Sequence, residues 1–162
     1  MTRIPANDIG LPLKALGDML SNMSAWQTWT GTASAATALA KIFFYGEPFA
    51  NVPSVFAVID LLDGGWTAEK GAEGGNNEYR HFGTISLSFY SDTPTEDQDS
   101  LGDAVNNFMN TVGGVIEEMR DSGRTYLNCR RFQLAQRGIR SALVKTGQNS
   151  LVAEFAIDWS SS

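Results

Sequence analysis

The segment 94–121 sets the frame of the fold. It reads as one long amphipathic helix, and the rest of the chain must bury the apolar stripe it carries. Thr93-Pro94-Thr95-Glu96 forms a capping box, with Thr93 at the N-cap, Pro94 at the first helical position and Glu96 three residues after the cap. Glu96, Asp97 and Asp99 load the first turns with negative charge, which suits the positive end of the helix dipole. Leu101, Val105, Phe108, Met109, Val112, Ile116 and Met119 form a single stripe. Arg120 falls in the last turn, and Gly123 can act as the left-handed terminator. Such a helix spans about 42 Å at 1.5 Å per residue. Gly113-Gly114 weakens it by about 1 kcal/mol per glycine relative to alanine, and the pair marks a close backbone contact or a bend.

Strands flank this helix. Val55 to Leu62 is β-branched and nearly all apolar, bounded by Pro53 and by Gly64-Gly65, and reads as a strand covered on both faces. Phe82 to Tyr90 alternates cleanly, with Ile85, Leu87 and Phe89 on one side and Thr84, Ser86 and Ser88 on the other. Leu127 to Gln136 alternates imperfectly. Leu151 to Trp159 alternates well, with Leu151, Ala153, Phe155, Ile157 and Trp159 opposed to Glu154 and Asp158. Between the strands, residues 64–78 hold five glycines and no periodicity, which predicts a flexible loop. Arg137 to Ser150 predicts a hairpin loop or a projecting arm.

The N-terminal part is helical in pattern. From Pro12, the residues Leu13, Leu16, Leu20, Met23 and Trp26 share one face, and Gly31 breaks the run. Thr32 or Ser34 can cap a second, alanine-rich helix from Ala33 to about Phe44, with Leu39, Ile42 and Phe43 on one side; Gly46 and Pro48 end it. Helices then cover one face of a mainly antiparallel sheet of about four strands, an α+β architecture. At 162 residues and 17.6 kDa, the chain fits a single domain, 1–162, that needs no disulfide staples. No internal repeat is present.

Composition narrows the function. Hydrophobic residues at 43% and charged residues at 19% are ordinary for a globular chain and exclude a disordered or fibrous one. No apolar run reaches the roughly 20 residues of a membrane helix, and the sequence MTRIPANDIGLPLK lacks the apolar region of a secretory signal. A net charge of −6 argues against sequence-independent duplex binding as the main role.

Catalytic motifs are scarce. The lone histidine, His81, could be served by Asp92 or Glu78, but G-x-S-x-G is missing and a structural role fits it better. Cys129 lies in a predicted strand and reads as an inert thiol. Asp92, Glu96, Asp97, Asp99 and Asp103 lack the spacing of a calcium loop. The glycine-rich segment has neither phosphate-cradle motif. The expectation is a non-enzyme with no cofactor and no metal.

One charge feature stands out. Arg120, Arg124, Arg130, Arg131, Arg137, Arg140 and Lys145 are seven basic residues in a stretch with one acid, Asp121. The segment thus carries +6 on a background of −12. It reads as a solvated sheet face, as a contact surface for an acidic region of another copy, or as a contact with passing nucleic acid. Gly64, Gly65, Trp66, Lys70, Gly74 and Gly75 mark the candidate flexible contact loop.

The order of parts carries a resemblance. Residues 15–45 (ALGDMLSNMSAWQTWTGTASAATALAKIFFY) are followed by FAVIDL at 56–61 and HFGTISLSFYSD at 81–92. Then come NNFMNTVGGVIEEMRDSG at 106–123, the strand LNCRRFQLAQ and a final AEFAIDW. Over most of the chain, this resembles the tail terminator (tail completion) proteins of long-tailed bacteriophages. The match is one of layout rather than of a motif that could be transferred residue by residue.

The resemblance implies an α+β protomer forming a homohexameric ring on the head-proximal end of the tail tube. There it ends tube polymerisation and docks the head–tail connector. The implied partners are other copies of the chain, the tail tube protein and the connector or neck protein. Genome DNA passes through the lumen without specific binding, and no membrane, metal or cofactor is involved. The implied location is the virion, with assembly in the host cytoplasm. A neck or head-completion protein is the alternative within this class. A small enzyme using His81, or a module that binds a peptide at a sheet edge, stands outside it.

Overall fold

The computed structural model describes residues 11–44, 53–70, 79–92, 98–126, 129–145 and 148–161. Within them, four helices and five strands run in the order α1 (Leu11–Ser21), α2 (Ser24–Thr30), α3 (Ala35–Leu39), β1 (Ile42–Phe44), β2 (Val55–Lys70), β3 (Tyr79–Asp92), α4 (Gln98–Tyr126), β4 (Cys129–Lys145) and β5 (Gln148–Ser161). The fold is α+β. Its sheet has five strands rather than four, in the order β1-β2-β3-β5-β4. Every pairing is antiparallel except β1 with β2, which is parallel.

The extra strand explains the first departure from the sequence reading. The helix expected from Ala33 to about Phe44 is only one turn long. Ser34 accepts from the Thr37 backbone N–H at 3.3 Å while the Thr37 side chain bonds back to the Ser34 backbone, a reciprocal cap. After Ala40, the β-branched and aromatic residues Ile42, Phe43 and Phe44 leave the helix and pair with Ala57, Val58 and Ile59. Gly31 does end the preceding helix, in the left-handed conformation at φ 65°.

The stretch from Pro12 to Trp26 is likewise two helices, not one. Met23 is extended and its side chain provides no cap to α2. The cap comes from α4, where the Glu118 carboxylate accepts from the backbone N–H of Ser24 at 3.1 Å and of Ala25 at 3.0 Å. The break therefore exposes two helix-start donors that a distant residue satisfies. Met23 and Trp26 stay on the buried side.

All four helices lie over one face of the sheet. Ala57 and Ile59 from β2, Ile85, Leu87 and Phe89 from β3, and Leu151, Ala153, Phe155, Ile157 and Trp159 from β5 form one cluster. It also holds Leu16, Met19, Leu20, Trp26, Phe108, Val112, Val115, Ile116 and Met119 from the helices. Trp26, Trp29, Phe89, Phe108 and Phe155 interlock with ring centroids 5.6–6.0 Å apart, mostly edge to face or tilted. The alternation expected for β3 and β5 is therefore present as read.

α4 departs from the sequence reading in three ways. It continues past Gly123 to Tyr126: Gly123 is no left-handed terminator but the point where Phe132 of β4 packs onto the helix. A Cβ there would lie 2.5 Å from the Phe132 ring. Gly113 and Gly114 make no close contact, since a Cβ on either would meet nothing within 4 Å. Met109 is half exposed, and Val115 takes a buried place in the stripe. The capping box at Thr93 to Glu96 lies outside the described residues.

Candidate interaction surface

The other face of the sheet has no described helix on it, and register decides what it presents. Across β2, β3, β5 and β4, the rows on this face are Phe56–Tyr90–Val152, then Val58–Ser88–Glu154–Gly138, then Asp60–Ser86–Ala156–Ala135, then Thr84–Asp158–Gln133. At one end it is aromatic: Phe56 stacks on Tyr90 at 4.5 Å and meets Phe43 edge to face at 5.7 Å. Phe56 is buried, while Val58 and Asp60 are half-buried. The prediction of a β2 covered on both faces thus holds at Phe56 and not beyond it. Further along, the face is polar. Thr84 donates to Asp158 at 3.0 Å across the β3–β5 pair, with Glu154 and Asp60 on neighbouring rows.

The seven basic residues of the sequence analysis fall on two adjacent elements. Arg120 and Arg124 belong to the last turns of α4, and Arg130, Arg131, Arg137, Arg140 and Lys145 to β4. The elements meet where Phe132 seats on Gly123. Arg120 is exposed, and its guanidinium donates to the Leu134 carbonyl at 3.5 Å, linking helix and strand. Arg137 is exposed on the strand. β4 is an edge strand with no acidic residue anywhere along it.

The imperfect alternation of β4 has a physical cause. Its pairing with β5 slips between Cys129 and Arg131, between Gln136 and Gly138, and between Leu143 and Lys145. Each slip inserts one residue and reverses the inward–outward phase of the strand beyond it. Arg130 and Arg137 are two of the three inserted residues. Bulges and positive charge along a margin are common devices against indiscriminate strand pairing.

The segment predicted as a flexible contact loop is different. Gly64, Gly65, Trp66 and Lys70 lie within β2, which runs on to pair Trp66 with Gly83 and Lys70 with Tyr79. The glycine pair sits where the β2–β3 register slips, between Leu62 and Trp66, so it bends a strand rather than ending it. Gly74 and Gly75 lie outside the described residues. The hairpin loop expected from Arg137 to Ser150 is mostly strand as well, with β4 reaching Lys145 and β5 beginning at Gln148.

One catalytic pairing considered from the sequence cannot form. His81 and Asp92 occupy opposite ends of β3, separated by about 36 Å at 3.3 Å per residue. Glu78 lies outside the described residues. Among the described residues, no group of three or more His, Cys, Asp or Glu side chains could hold a metal ion, and no helix is long and apolar enough to cross a membrane. An open hollow of about 480 Å³ at the α2–α3 turn is lined by Thr30, Thr32, Ser34, Thr37 and Lys41. Its hydroxyls pair with one another, Thr30 with Thr32 at 2.9 Å and Ser34 with Thr37 at 3.0 Å.

Sequence reasoning missed two features. The reach of Glu118 to α2 spans 94 positions and leaves no local signal. Glu154 and Asp158 are visible in the alternation of β5, but only register shows that Asp60 of β2 shares their face of the sheet. No family model matches the chain, and no curated protein matches its sequence.

Proposed function

We infer that the protein is a structural component of a long-tailed bacteriophage. In this reading it forms a ring on the head-proximal end of the tail tube, stops tube growth and offers the docking surface for the head–tail connector. What supports the reading is the order of parts: three short helices and strand β1, an antiparallel β2–β3 pair, one long helix and a closing antiparallel β4–β5 pair. This is the layout on which the resemblance to tail terminators rests. The charge distribution suits it. A ring is built from heterologous contacts, in which one patch of a copy meets a different patch of the next, and a basic margin on an otherwise acidic chain supplies such a patch. The partners are then other copies of the chain, the tube protein and the connector, and the location is the tail or neck of the virion.

An early stop in the gene, with negative-stain electron microscopy of the lysate, tests this. Overlong headless tails beside filled heads are expected. Tails of normal length, with heads that have lost their DNA, would move the protein to head completion. Fully normal particles would sink both structural roles and return attention to a peptide-binding or enzymatic module.

A further inference from the structure

We draw no further inference here: the strongest candidate, the open face of the sheet where Asp60, Glu154 and Asp158 lie beyond the stacked rings of Phe56 and Tyr90, carries nothing, because nothing in the structure shows what covers it.

Discussion

β3 and β5 run through the middle of the sheet, β4 forms one margin, and the strands follow different rules. The middle strands keep strict phase. Over eleven consecutive register pairs, from Phe82 with Ser160 to Asp92 with Ser150, no slip occurs. Their inward side chains Ile85, Leu87, Phe89 and Ile157 are completely buried. β4 slips three times and carries five basic residues and no acid. A strand whose inner face meets a helical layer cannot lose phase without turning its apolar set to water. β4 keeps phase from Arg131 to Gln136, where Phe132 and Leu134 pack against the core, and slips on either side of that stretch, which protects this edge from unwanted pairing. The middle of the sheet is specified by packing, and its margin by what must and must not approach it.

The largest expected effect lies in the middle. Phe89 is fully buried between Trp26, Trp29 and Phe155. Phe89→Ala should cost about 3–5 kcal/mol, the loss of the ring's transfer energy plus the cavity it leaves. Urea denaturation monitored by tryptophan fluorescence measures it. A loss below about 1 kcal/mol would mean that the site can collapse, and that the middle is less tightly specified than its register suggests.

The seam between α4 and β4 should come next. Gly123→Ala forces a Cβ to within 2.5 Å of the Phe132 ring, so the helix or the strand must shift, at about 1–3 kcal/mol. If Gly123→Ala is neutral in thermal melts, β4 is held more loosely against the helix than the close approach implies.

Glu118→Ala tests a third level. It removes the acceptor of the Ser24 and Ala25 amides and should cost about 0.5–2 kcal/mol, as the loss of a helix cap does. Glu118→Gln keeps one carbonyl oxygen and should fall between. Hydrogen exchange should rise first in α2, while β3 and β5 stay protected.

The contrast between middle and margin also explains what could be read in advance. Alternation at Ile85, Leu87 and Phe89, and again from Leu151 to Trp159, is visible because a half-buried strand imposes period two. The α4 stripe is visible for the same reason at period 3.6. β1 was hidden because Ile42 and Phe43 also fit a helical face, and only pairing with β2 decides for a strand. Gly64 and Gly65 mimic a loop signal, yet the slip in β2 absorbs them while the strand continues. The basic strip was legible as a charge imbalance. That its members fall on the end of α4 and on the edge strand β4 needed the sheet order.

Gly113→Ala and Gly114→Ala should work in the opposite direction from Gly123→Ala. Both positions are exposed, and an added Cβ meets nothing within 4 Å. Each change should stabilise the protein by about 0.5–1 kcal/mol through the smaller entropy lost on forming helix. If instead either destabilises the fold while leaving the monomer's helix content intact, that face of α4 is occupied in a larger assembly.

The smallest effect on stability is expected at Arg137, and it separates the two regions most cleanly. The residue is exposed and inserted at a slip of an edge strand, so it fills no cavity and no layer depends on it. Arg137→Ala should change the unfolding free energy by no more than about 0.5 kcal/mol. If the basic margin serves the ring contact proposed above, the same substitution should weaken self-association and reduce its dependence on salt, because the margin loses one positive charge. Sedimentation at two ionic strengths, alongside urea melts of the same sample, reads both quantities at once. A substitution that costs as much in folding as a core residue would place Arg137 among the groups that hold the sheet together, and the distinction between middle and margin would fail at the residue where it is drawn most sharply.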